Sequence, residues 1–165
     1  MTAPTHFSFD QTEFAGTRAL VTGGTKGMGE AIVRRLAAGG ATVATTARSP
    51  LPAGQAVGLF VQADISTREG VDKVTREVLD RLGGVDILVN NVGGSSAPSG
   101  GVLALSDADW QDTINANLFA AVRLDRGLLP GMLRQGSGVI IHTRPSSGAC
   151  HCSRRRSPMR PPRRR

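Results

Sequence analysis

The chain contains no tyrosine, one tryptophan and two lysines, Lys26 and Lys73, among 165 residues. Chemistry that needs a phenolic acid beside a lysine therefore cannot be assembled from the residues present. Cysteine is equally scarce, with Cys150 and Cys152 flanking His151. Cysteines one residue apart close no useful loop, so no disulfide framework supports the fold. Cys150-His151-Cys152 offers at most three ligands in cramped geometry where a structural zinc takes four, so no metal site is expected. No segment approaches the ~20 apolar residues of a membrane span, and the polar stretch Met1 to Ala15 lacks the basic and apolar regions of a secretion signal. The expectation is a soluble, cytoplasmic protein without a membrane partner, whose 39% apolar residues suffice for one packed domain.

Acidic charge is missing from one region altogether. Arg144 to Arg165 hold eight arginines, both cysteines and four of nine prolines, with no Lys, Asp or Glu and no helical or strand period. The preceding 143 residues carry 12 basic and 13 acidic groups, so the net charge of +7 belongs to the tail alone. Residues 144–165 read as a disordered arginine-rich tail, and residues 1–15 as an N-terminal extension to a domain over 16–143.

Within that domain, apolar runs alternate with helical patterns. Strands are expected at Arg18 to Val21, Thr42 to Thr46, Gly58 to Gln62, Val85 to Asn90 and Val139 to His142. Helices are expected at Met28 to Ala38, Thr67 to Leu82 and from about Asp107. Ser66-x-x-Glu69 and Ser106-x-x-Asp109 read as capping boxes. Val71, Val74, Val78, Leu79 and Leu82 form one apolar stripe, and Trp110, Ile114, Leu118 and Val122 mark the buried face of the later helix. Ile87-Leu88-Val89 and Val139-Ile140-Ile141 are continuous apolar runs, as in a parallel sheet covered on both faces. The fold class is a Rossmann-type doubly wound α/β sheet of five strands.

Thr22 to Gly29, reading TGGTKGMG, occupies the first strand-to-helix turn. Gly23 lets the chain reverse, Gly27 admits a pyrophosphate close to the backbone, and Gly29 permits tight helix–strand packing. The N–H groups and positive dipole end of the helix face the phosphates. An acidic residue ~20 positions on would hold the ribose 2′-hydroxyl of NAD. Ala47 and Arg48 stand there instead, and Arg48 with Lys26 could pair with a 2′-phosphate, so NADP(H) is favoured over NAD. Two solvated surface cations are the plainer alternative.

Together with Asn90-Asn91-Val92-Gly93 after the fourth strand, this loop resembles the short-chain dehydrogenase/reductase family from about Gly16 to His142. Thr22, Gly23, Gly27 and Gly29 match its TGxxxGxG pattern, and Val92 replaces the Ala of its NNAG. The resemblance implies hydride transfer between NADP(H) and a small carbonyl or secondary-alcohol substrate. Thr25, Lys26 and Met28 would share the cofactor loop. Asp64 and Ile65 would border the adenine, although Asp64 could equally be a loop carboxylate capping its strand. Asn90, Val92 and Gly93 would lie beside the adenosine ribose and the middle of the cofactor. Asn117, not its neighbour Asn115, takes the place of the active-site Asn, where a helix kink lets its backbone hold a water of the proton relay. Residues 93–101 form a substrate-side loop. An intact relative is expected to be a homo-oligomer, and this chain would be a truncated, inactive member.

The family's Tyr-x-x-x-Lys pair and its Ser are missing, and the genetic code suggests why. If one nucleotide was lost near codon 144, each original codon is the last base of one present codon plus the first two of the next. Pro158 with Met159 then permits Tyr, Pro162 with Arg163 permits Lys, and Arg144 with Pro145 permits Ser. All three types return in family order, so the tail reads as frameshifted, and a restored frame would add two further strands. A non-catalytic dinucleotide-binding fragment, and a nucleic-acid partner held by the arginine tail, are the rival readings. The domain lacks a basic face that would favour the second.

Overall fold

The computed structural model describes residues 10–143 apart from 56, 92, 95–97 and 99. Strand β1 (Arg18–Thr22) enters helix α1 (Gly27–Ala38), and β2 (Thr42–Ala47) and β3 (Leu59–Gln62) follow. Helix α2 (Arg68–Leu82) returns the chain to β4 (Ile87–Asn90). Helix α3 (Asp107–Ile114), a π-helical turn (Asn115–Phe119) and α4 (Ala120–Gln135) lead to β5 (Val139–His142). The strands are parallel in the order β3-β2-β1-β4-β5. The chain moves outward through β2 and β3, then crosses back to lay β4 on the other side of β1. The C-terminal ends of β1 and β4 therefore flank the switch point at which open α/β sheets bind ligands. This is the expected doubly wound Rossmann-type architecture.

Because strand side chains alternate, the sheet has two apolar faces. Leu20, Ala44, Val61 and Leu88 meet Val71, Val74 and Val78 of α2 and Leu124, Leu128 and Met132 of α4. On the opposite face Ala19, Val21, Val43 and Val89 meet Val33 and Leu36 of α1. Phe14, within the stretch 1–15 read from sequence as extension, packs against this second layer, donates its N–H to Gly39 O (2.7 Å) and lies under the Arg35 guanidinium.

Three sequence expectations need correction. Trp110, Ile114, Leu118 and Val122 are exposed, at 46, 38, 55 and 37%. The buried stripe is Ala120, Leu124, Leu128 and Met132. The segment is apolar on two faces, and spacing alone does not say which one α2 covers. Val139 and Ile141 are also exposed: their register with Ile87 and Val89 puts them on the α1 face, while α1 packs over β1 and β2. Finally, Ser66 does not cap α2. Thr67 does, accepting from Gly70 N (3.0 Å), because Asp64 claims both the N–H and the hydroxyl of Ser66 in a local turn. The Ser106–Asp109 box forms as expected, and the Ser106 hydroxyl holds the Asp109 carboxyl below the usual carboxylate value.

At the N-terminal end of the sheet Asp86 joins three elements. Its Oδ2 accepts from Arg18 N and Nε, both 2.8 Å, and its Oδ1 from Arg18 Nη2 (2.8 Å) and Gln135 Nε2 (3.1 Å). The Arg18 side-chain bonds, the largest influence, lower the carboxyl from 3.8 to about 2. A carboxyl whose pKa is lower in the folded state stabilises fully above its unfolded value and loses that contribution as pH falls through the folded one. Urea unfolding should therefore show wild-type stability dropping between about pH 4 and pH 2 through this group. Asp86→Asn should cost roughly 1–3 kcal/mol at pH 7 and flatten that part of the profile. An unchanged acid limb in the variant would refute the assignment.

Candidate functional site

The loop between β1 and α1 is held from below by β2. Gly23 (φ 68°) donates its N–H to Thr46 O (2.8 Å), and Gly24 N donates to Thr45 Oγ1 (3.0 Å), whose hydroxyl donates to Val21 O (2.7 Å). Lys26 caps α1 in extended conformation with no side-chain hydrogen bond. Glu30 N donates to Lys26 O (3.3 Å), so the N–H groups of Gly27, Met28 and Gly29 precede the first such bond, at the positive end of the helix dipole. Gly27 has φ 57°, and a Cβ there would meet nothing within 4 Å, so open space lies over it. Gly29 is the opposite case: a Cβ would stand 2.2 Å from Gly23 O and 2.5 Å from Asn91 Nδ2. The two glycines thus do different work, Gly27 leaving room outside and Gly29 closing the loop onto β1 and β4. Met28 is exposed and Thr25 half-buried beside them.

At the end of β4 the two asparagines separate. Asn90 is 5% exposed and turned inward, its Nδ2 donating to Asp125 Oδ1 (2.9 Å) and its carbonyl accepting from Thr143 N (3.0 Å). Through these bonds Asn90, expected beside the adenosine ribose, ties β4 to α4 and to the end of β5. Asn91, absent from the expected site, is the residue that reaches the glycine loop. Its N–H donates to Thr22 Oγ1 (2.8 Å), its Nδ2 to Thr22 O (3.1 Å), and its Oδ1 accepts from Thr143 Oγ1 (3.1 Å). The signal available in the sequence was the pairing of Asn-Asn with a strand-terminal Thr. Val92 lies outside the described residues, as do 95–97 and 99 of the loop that follows.

Ala47 ends β2, and Arg48 projects beyond it, exposed, with its carbonyl held by Gln62 Nε2 (2.9 Å). Neither the Arg48 guanidinium nor the Lys26 ammonium has a partner among the described residues. The end of β2, Ala47, and the Arg48 that follows bring no carboxylate to its tip. Asp64, also exposed, follows β3, whereas the Ile65 side chain is buried in the core at 5% exposure, leaving only its backbone to face a ligand.

Asn117 sits within the π-helical turn, where the family resemblance implies a kink. Such a turn inserts one residue into the helix and redirects the groups around it. The Asn117 carboxamide clamps the loop after β4 on both sides, its Oδ1 accepting from Gly94 N (2.9 Å) and its Nδ2 donating to Gly94 O (2.7 Å) and Thr113 O (2.7 Å). Gly93 passes so near that a Cβ would lie 2.9 Å from Asn117 Oδ1. The Asn115 side chain instead accepts from Gln111 Nε2 (3.4 Å). Ser146, Ser147 and the Cys150-His151-Cys152 cluster lie outside the described residues. Among the described residues no group of His, Cys, Asp and Glu could hold a metal ion, and no helix is long and apolar enough to cross a membrane.

Residues 17–157 match the family described as short chain dehydrogenase. The chain belongs to this family. Among its relatives is nodulation protein G of Rhizobium sp. (strain N33), 40% identical over 139 residues that cover 79% of this chain and 55% of the relative. Among solved structures, L-sorbose reductase from Gluconobacter frateurii, complexed with NADPH and L-sorbose, is 38% identical with a TM-score of 0.71, over 80% of this chain and 53% of that one. A metagenomic short-chain oxidoreductase in complex with NADP is 31% identical with a TM-score of 0.71, over 79% of this chain and 62% of that one. The chain spans about half the length of the curated relatives it matches.

Proposed function

We propose that this short-chain dehydrogenase chain carries the NADP(H)-binding half of an oxidoreductase acting on a small carbonyl or secondary alcohol, and that as written it cannot complete the reaction. The observation that carries the binding part is the start of α1 at Gly27, where a Cβ would meet only open space beside the helix N-terminus. Gly27, Met28 and Gly29 would hold the pyrophosphate through their N–H groups, with Thr25 beside them. Arg48 and Lys26 would pair with the adenosine 2′-phosphate, Asp64 and the Ile65 backbone would border the adenine, and Gly93 would line the middle of the cofactor. When bound, the nicotinamide supplies the donor or acceptor of a hydride. Asn117 holds the loop after β4 and would serve a proton relay. The tyrosine and nearby lysine that such a relay would serve are not encoded in this chain.

Solved relatives bound to NADP and NADPH support the cofactor choice. Fluorescence titration of the purified chain tests it. NADPH should bind at least tenfold more tightly than NADH, as expected of a charge-assisted contact to phosphate, and Arg48→Asp should remove that preference. Equal affinities in the wild type, or a preference retained in Arg48→Asp, would refute it.

A further inference from the structure

Arg123, in the first turn of α4, reaches across to the turn after β3. Its Nη1 donates to the main-chain carbonyl of Ser66 (2.9 Å), and its guanidinium lies over the Phe119 ring, 5.3 Å from the centroid. Ser66 in turn donates its N–H (3.0 Å) and its hydroxyl (2.8 Å) to Asp64 Oδ1. The other carboxylate oxygen, Oδ2, has no partner among the described residues, and Asp64 is exposed at the C-terminal end of the sheet. Thr67 Oγ1 adds a bond to Asp64 O (2.9 Å), so the turn is braced on its inner side as well. Phe119 closes the π-helical turn that contains Asn117. One half-buried guanidinium therefore links the segment bearing Asn117 to the turn that aims Asp64. Stacking on an aromatic face while donating to a carbonyl is a geometry suited to Arg, whose planar fork keeps its orientation at low entropic cost.

We propose that Arg123 is a positioning residue for adenine recognition: by fixing Ser66 it presents Asp64 Oδ2 to the exocyclic amino group of the cofactor's adenine. The proposal rests on the dinucleotide reading above, because it needs the adenine to lie against Asp64. A carboxylate accepts from that amino group but is repelled by the carbonyl oxygen that hypoxanthine carries at the same place. Loss of the Arg123 bond loosens the turn, and Asp64 discriminates less between the two rings.

The test compares binding of NADPH with binding of its hypoxanthine analogue to the full chain, by fluorescence titration. Wild type should prefer the adenine form about tenfold, the size expected of one hydrogen bond to a charged group. Asp64→Asn should abolish the preference, and Arg123→Met should reduce it to about twofold. Arg123→Lys, which can still donate to Ser66 O but cannot stack as a plane, should fall between. Combining Asp64→Asn with Arg123→Met should add little to the loss from Asp64→Asn alone, since both act on one contact. A variant that merely loosens the fold would weaken both nucleotides alike and leave the ratio untouched, and that outcome overturns the proposal. Should Arg123→Met fail to fold, an undiminished ratio in Arg123→Lys overturns it equally. Failure of the wild type to bind NADPH at all would instead remove the dinucleotide reading, and this inference with it.

Discussion

Gly29→Ala should weaken dinucleotide binding by about two orders of magnitude. The added methyl would stand 2.2 Å from Gly23 O and 2.5 Å from Asn91 Nδ2, closer than any real contact, and the first of these is backbone. Either the glycine loop lifts from β1, or Asn91 lets go of Thr22 and β4 parts from the loop. Overpacking of this kind costs about 1–3 kcal/mol, occasionally more, and a displaced loop loses the aim of its N–H groups as well, so affinity for NADPH should fall by roughly 100-fold. Gly27→Ala is the informative control. Its methyl meets nothing in the protein and costs only the strain of a positive φ, about 1–2 kcal/mol. It nevertheless occupies the space proposed for the pyrophosphate. Both variants should bind NADPH far more weakly, but thermal unfolding should fall further in Gly29→Ala. Binding of NADPH by Gly27→Ala at wild-type strength would mean that the open space is not the phosphate site.

The second large effect concerns turnover. The purified 165-residue chain should show no measurable cofactor-dependent oxidation or reduction across a panel of carbonyl and alcohol substrates. Without the tyrosine and lysine of the family, general acid–base catalysis worth about 10²–10⁴-fold is missing. If a nucleotide was lost near codon 144, sequencing of the genomic DNA and of an independent clone should reveal a frame that encodes Tyr where Met159 stands and Lys where Arg163 stands. The protein from that frame should turn over substrate, and Tyr→Phe at the new position should silence it. Robust activity in the present chain, or a frame unable to encode those residues, would contradict the proposal.

The doubly wound sheet was legible because its determinants are local. Apolar runs such as Leu88-Val89 and the valine stripe of α2 specify buried strands and an amphipathic helix whatever surrounds them. The glycine loop was legible because few sequences need glycine at three fixed spacings between a strand and a helix. Less accessible were features decided by partners distant in sequence. Asn90 and Asn91 are adjacent and chemically identical, yet strand alternation sends one toward Asp125 and the other toward Thr22. The π-helical turn and α4 together carry two apolar stripes, and only the position of α2 selects Leu124 and Leu128 over Leu118 and Val122. The capping of α2 was misassigned by one residue because Asp64, outside the pattern that was read, competes for Ser66. The bond from Arg123 to Ser66 joins residues 57 positions apart and leaves no local trace.

Cofactor binding at the glycine loop is tested most directly by mapping amide resonances of the ¹⁵N-labelled chain during addition of NADP⁺. The expected result is that the largest shifts fall on Gly27, Met28 and Gly29, with a second group at Arg48 and Ser49 that NAD⁺ does not reproduce. Shifts confined to other parts of the chain, or none at millimolar cofactor, would contradict the assignment of this loop as an NADP(H) site.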